Sequence, residues 1–252
     1  MVRQMSSRLK QLARALLGAF KRKPRGQYEI EKAEHMFYIN YLQPGNVAFD
    51  VGANIGEISL LFSRFVGVNG QVHSFECTPD TFNRLQEIIS TAGRKNLTLN
   101  KVCLSDKEGT ATFHVYDEEH AAWNTMADRP LENYGINIRP LRTEELVTTT
   151  IDSYCEARNI QKIDLLKVDV EGAEYQVIKG ASRMMREKRI GCLVFEFGQT
   201  TFDMGNDPAM LKDLIVSHRY RIRNLVKGDP IFPGGGSVAT AQFSMHVCTP
   251  ES

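Results

Sequence analysis

The chain has 252 residues and no apolar run near the roughly 20 residues that a helix needs to cross a bilayer, which excludes a helical membrane span. Its cysteines are few and scattered. Cys77, Cys103, Cys155, Cys192 and Cys248 form no C-x-x-C pair, which argues against a structural zinc site and predicts free thiols in a reducing compartment. No signal peptide opens the chain, because charges interrupt its apolar positions, so a cytoplasmic location is expected. Two nucleotide-loop signatures are also missing. Asn54 and Glu57 occupy the second and third glycine positions of a G-x-G-x-x-G turn, which disfavours a nicotinamide oxidoreductase. No Lys-Ser or Lys-Thr pair follows the turn, as a nucleotide-triphosphate loop requires. Acidic residues are absent from the N-terminal stretch, where basic ones cluster. Residues 1 to 25 hold eight Lys or Arg and no Asp or Glu, so the net charge of +1 divides into +8 for this arm and −7 for the remainder. A mildly acidic body predicts no nucleic-acid partner.

What is present is organised in two parts, a basic arm over residues 1–35 and a domain over 36–252. Within the arm, Leu9, Leu12, Ala13, Leu16, Leu17 and Phe20 recur at helical spacing over residues 3 to 20, before the linker Lys21–Gly26. Three readings stand for it. The stripe packs on the domain or on a second copy of the chain, or it lies on an anionic membrane surface and gives peripheral contact at the inner face through residues 1–25, or the arm is disordered.

From residue 46 the pattern alternates. Strands are expected at 47–51, 71–76, 97–104, 163–168 and 190–197, and helices at 55–66, 79–92 and 173–186. Alternation of this kind predicts an α/β fold, a doubly wound and mainly parallel sheet with helices on both faces. An insertion at 110–148 interrupts it with an expected hairpin at 111–116 and a polar loop around Trp123. Tyr220–Val226 and Phe243–Cys248 read as two strands closing the sheet in antiparallel fashion.

Ligands of open α/β sheets sit at the carboxyl ends of the strands, so the residues just after each strand are the candidates. Asp50, Gly52, Asn54 and Gly56 form a glycine-rich turn that lets the backbone approach a ligand closely. Glu76 follows the second strand, placed to accept hydrogen bonds from ribose hydroxyls. Ser105 and Asp106 follow the third, where an adenine edge would lie. Asp169 and Glu171 follow the fourth and Glu196 ends the fifth; close carboxylates are costly unless they bind a cation, a hydroxyl or each other. No histidine or further ligand set accompanies them, so no metal is expected.

The stretch PGNVAFDVGANIGEISLLFSRFVGVNGQVHSFE at 44–76 resembles the opening of the FkbM-type methyltransferases, a Rossmann-like class of S-adenosylmethionine enzymes. DLLKVDVEGAEYQVIKGAS, beginning at 164, resembles that family's second signature, and LVFEF at 193–197 the strand after it. The likeness covers about residues 40 to 200. It implies a seven-stranded sheet, S-adenosyl-L-methionine as cofactor, and methyl transfer, usually to a hydroxyl of a sugar, a glycan or another small metabolite. By position it implies a cofactor loop of Asp50, Gly52, Asn54 and Gly56, ribose at Glu76, adenine bordered by Ser105 and Asp106, and Asp169 at the methionine end. Cys77 departs from the pattern, standing where a proline usually follows the acidic residue.

A hydroxyl acceptor calls for a base. Asp169, Glu171 and Glu196 are the candidates, ahead of His35 and His120 from flanking segments, and Trp123 could stack on a sugar face. Protein or N-methylation, and a non-catalytic cofactor-binding domain, remain as alternatives.

Overall fold

The computed structural model describes residues 25–251, and the amphipathic stripe at 3–20 lies outside the described residues. Ten strands follow in chain order: β1 Val47–Val51, β2 Gln71–Phe75, β3 Leu97–Asn100, β4 Cys103–Leu104, β5 Gly109–Val115, β6 Arg142–Thr149, β7 Ile163–Val168, β8 Ile190–Phe197, β9 Tyr220–Asn224 and β10 Ser244–Pro250. The described helices are α1 Arg25–Tyr41, α2 Glu57–Val66, α3 Pro79–Ala92, α4 Ile151–Ala157, α5 Glu174–Lys179, α6 Ser182–Arg186, α7 Gln199–Asp203 and α8 Pro208–Ser217.

Seven strands make one sheet in the order β3-β2-β1-β7-β8-β10-β9. The first five run parallel, and β10 enters antiparallel between β8 and β9. β1, β7 and β8 read as near-continuous apolar runs because helices bury both their faces. Phe49, Phe75, Leu166, Val168 and Phe195 face one layer of the core, and Phe62, Leu165, Val194 and Val247 the other. α1 closes the second layer through Tyr38, whose ring meets Phe62 edge-on at 4.9 Å between centroids. This helix runs unbroken across the arm–domain division expected at residue 35. Register then sets the site. Val51 pairs with Phe75 and Val168, and Val168 with Phe195, so Gly52, Glu76, Asp169 and Glu196 emerge in one row at the carboxyl ends.

Three elements differ from the sequence expectation. The strand expected at 97–104 is two, because β3 pairs with β2 while β4 leaves to pair with β6. The expected hairpin at 111–116 is no local hairpin; β5 pairs antiparallel with β6 across the whole insertion, giving a second, three-stranded sheet β4-β6-β5. The helix expected at 173–186 breaks after Lys179. The Gly180 carbonyl there accepts the Asp152 N–H at 3.0 Å instead of continuing the ladder, and a Cβ at Gly180 would lie 2.0 Å from the Ser105 oxygen.

Candidate active site

The turn after β1 is shaped by what it must pass. Gly52 has φ +78°, and a Cβ there would lie 1.8 Å from the Asp169 carbonyl oxygen, so only glycine fits. The Gly52 and Ala53 N–H groups donate to the Phe75 carbonyl at 3.0 and 2.9 Å, holding the turn against β2. Gly56, with φ +88°, packs under the turn against Leu85 and starts α2.

Glu76 is gripped by that turn. Its Oε2 accepts the Asn54 N–H at 3.1 Å, and its Oε1 accepts the Thr78 N–H at 3.0 Å and the Thr78 hydroxyl at 2.6 Å. The Cys77 N–H adds a further bond to this carboxylate. Burial raises its pKa against these stabilising bonds.

Beneath the turn lies a buried ion network. Asp50 and Lys167 are register partners on β1 and β7, 0% and 3% exposed. Lys167 Nζ lies 3.4 Å from Asp50 and 3.1 Å from Asp169. Burial alone would lower its pKa, but Asp169, Asp50 and Glu34 hold it above the usual lysine value. Ser59 donates to Asp50 at 2.5 Å and Ser74 to Ser59 at 2.7 Å. Glu34, from α1, accepts the Tyr38 hydroxyl at 2.7 Å, and burial pushes its carboxyl up to about 7.

Above that floor the carboxylates converge. Asp169, Glu171 and Glu196 each bring an oxygen within 4.8 Å of the others. Burial, then the charges of Asp169 and Glu171, raises Glu196 well above the carboxylate range, and it shares a hydrogen bond with Asp169. Burial and the Asp169 charge push Glu171 up to about 8. Its backbone is left-handed, φ +54°, because the loop wraps around Glu174, whose Oε1 accepts the Val170 and Gly172 N–H groups at 3.0 and 3.2 Å. A cation arrives from the insertion. Arg129 donates to Asp203 at 3.2 Å and lies 3.8 Å from Glu171, with its guanidinium over the Trp123 ring at 5.7 Å. Thr125 Oγ1 donates to the Glu171 carbonyl at 2.7 Å and Asn124 reaches Thr78 at 3.3 Å. The insertion thereby forms one wall of the crevice.

A cavity opens at this row of strand ends. It is lined by Gly52, Asn54, Glu76, Asp169 and Glu171 on the polar side, and by Phe75, Val102, Leu104, Phe113 and Met126 on the apolar side. Asp50 and Gly56 lie behind this wall, and Glu196 joins it through Asp169. Ser105 and Asp106 do not reach it. The chain turns into the second sheet at β4, so Val102–Leu104 line the cavity; the Ser105 N–H donates to Thr149, and Asp106 pairs with Lys179 at 2.9 Å. His120 is engaged by Asp117 at 2.7 Å, and neither it nor His35 lines the cavity. Lys167, Arg129, Asp203 and Glu34 were missed as site residues. Lys167 had a signal: a lysine inside an apolar strand is buried and needs a partner. Arg129 had none.

The profile of the Methyltransferase FkbM domain matches residues 50–222. The chain belongs to the FkbM methyltransferase family. It is a methyltransferase with S-adenosyl-L-methionine as its methyl donor. Among curated FkbM relatives, the chain is 28% identical over 216 residues to "31-O-demethyl-FK506 methyltransferase FkbM" of Streptomyces tacrolimicus, covering 77% of this chain and 78% of that one. It is 30% identical over 141 residues to "Hexuronic acid methyltransferase AglP" of Haloferax volcanii, covering 56% and 52%. In fold it is similar to the crystal structure of methyltransferase FkbM from Methylobacillus flagellatus KT, with TM-score 0.50 and 14% identity over 84% of this chain and 50% of that one. Among the described residues, no helix is long and apolar enough to cross a membrane.

Proposed function

We propose that the chain moves the methyl group to a hydroxyl of a sugar, a glycan or another small metabolite. The observation that carries this reading is the convergence of Asp169, Glu171 and Glu196 beside the cavity, with Glu171 poised near neutrality. The relatives named for an oxygen of FK506 and for a hexuronic acid point the same way. When bound, S-adenosylmethionine supplies a methyl group on a sulfonium, which the acceptor oxygen takes as the carbon–sulfur bond breaks.

The rest falls to the protein. Gly52 lets the turn pass close to Asp169 and leaves the cavity open at the methionine end. Glu76, on the cavity wall, takes one ribose hydroxyl. Val102–Leu104 and Phe75 form the apolar slot for adenine, in place of Ser105 and Asp106. Lys167 positions Asp169 from below. Glu171, ionised, removes the acceptor proton as the new bond forms, while Glu196 keeps its own proton and shares it with Asp169. The reaction then needs only alignment and a base, and no metal.

Incubation with methyl-deuterated donor and a panel of uronic acids, neutral glycosides and peptides, read by mass spectrometry, tests this. Label on a carbohydrate or metabolite hydroxyl is expected; label on peptide nitrogen alone would overturn the acceptor class. For residues 1–25 we propose peripheral contact with an anionic membrane. Vesicle sedimentation that is salt-sensitive and lost on deleting residues 1–25 is expected, and retention in the supernatant at low salt would refute it.

A further inference from the structure

A second concavity lies at the opposite, amino end of the sheet. Gln71, the first residue of β2, and Thr98 of β3 form its floor with His73, and its volume is about 1000 Å³. Its charge is one-sided. Arg64, Arg94, Lys95 and Arg158 line it, and no Asp or Glu does. None of the four pairs with an acid among the described residues, although the body of the chain has a net charge of −7.

The plain reading is helix capping. Arg64 lies in the last turn of α2, Arg94 and Lys95 follow the Gly93 cap of α3, and Arg158 caps α4. Each helix end carries roughly half a negative charge. Three such ends offset about 1.5 of the four positive charges, so capping leaves a surplus of about 2.5. Arg158 is also pre-oriented, its guanidinium stacked 4.8 Å over the Tyr154 ring. Tyr154 in turn bonds His73 Nδ1 at 2.8 Å, and Gln71 lies 3.4 Å from its Nε2. No Phe, Tyr or Trp lines the groove, so it offers no stacking platform for single-stranded nucleic acid. Arginine forks and a lysine point charge match phosphate oxygens. The surplus exceeds what one monoanion satisfies.

We propose that this groove is a second binding site, selective for a diphosphate or comparably clustered phosphates, apart from the methyl-transfer crevice. The full chain saturated with S-adenosylhomocysteine is titrated with inorganic pyrophosphate in a calorimeter at low salt. Saturable binding is expected, weakened at least about tenfold in Arg94→Ala/Lys95→Ala and in Arg158→Ala, with S-adenosylhomocysteine affinity unchanged. Should the double variant fail to fold, Arg94→Gln and Lys95→Gln singly are each expected to weaken pyrophosphate severalfold. A vesicle arm, with phosphatidylglycerol in phosphatidylcholine, separates the sources. Sedimentation weakened by pyrophosphate and in the variants assigns the phosphates to a lipid surface; sedimentation unchanged by either, alongside pyrophosphate binding, assigns them to a soluble ligand. No pyrophosphate binding, or equal binding in wild type and variants, overturns the site and leaves the four cations as helix caps.

Discussion

Replacing Glu171 by glutamine removes one ionisation while keeping the shape of the side chain. Burial and the neighbouring Asp169 raise this carboxyl from 4.5 to about 8. At about 1.4 kcal/mol per pKa unit, the upper bound on the associated free energy is on the order of 5 kcal/mol. The side chain is 23% exposed, and solvent screening reduces the expected effect to about 2–3 kcal/mol. Between pH 4.5 and about 8 the folded state holds this proton and the unfolded chain has released it. The contribution is therefore complete below about pH 4.5 and is lost as pH rises through about 8. Glutamine cannot ionise. The variant should match the wild type at pH 5 and exceed it by about 2–3 kcal/mol at pH 9, read by urea denaturation at pH 5, 7 and 9. Glu34, pushed up to about 7 chiefly by burial, titrates in both proteins and cancels in the difference. Glu174 and Glu196, by contrast, interact with Glu171, and losing its charge lets them ionise at lower pH in the variant. Turnover should fall by roughly 10²–10⁴, and the wild-type rise of kcat/KM through about pH 8 should vanish. Stability curves that run parallel across pH would refute the titration of Glu171, and near-wild-type turnover would refute its role as base.

Gly52→Ala should cost more than about 3 kcal/mol of stability, since its Cβ meets the Asp169 oxygen at 1.8 Å, whereas Gly93→Ala, at φ +64° with nothing within 4 Å, should cost only about 1–2 kcal/mol; equal losses in thermal denaturation would contradict the cradle. Glu76→Ala should weaken S-adenosylhomocysteine by about 1.5–3 kcal/mol in calorimetry, and unchanged affinity in a folded variant would remove the ribose assignment. Exhaustive dialysis against EDTA should leave turnover intact; activity lost with EDTA and restored by a divalent ion would instead make Asp169, Glu171 and Glu196 a cation site.

The strand ends were legible before any coordinates. Periodicity, apolar runs and turn residues act over about ten residues, so β1, β2, β7, β8 and α3 lie within one residue of their expected bounds. Gly52, Glu76, Asp169 and Glu196 could be placed at the strand ends because each directly follows or ends such a strand, and the register of a parallel sheet aligns those ends in one row. The failures were all non-local. That 97–104 divides between two sheets depends on β6, some forty residues later, competing for β4. Ser105 and Asp106 were carried away from the cavity by that choice, and Val102–Leu104 took their place. Whether an insertion strand pairs locally or across a loop is decided by which partner buries it, and no periodicity encodes that. Asp50 opposite Lys167 could be suspected from two charges inside apolar strands, but their facing one another needed the register. Arg129 needed more. Its place over Glu171 and Asp203 exists only because the insertion folds back onto the strand ends, a contact between segments 42 and 74 residues apart that only the assembled core brings together.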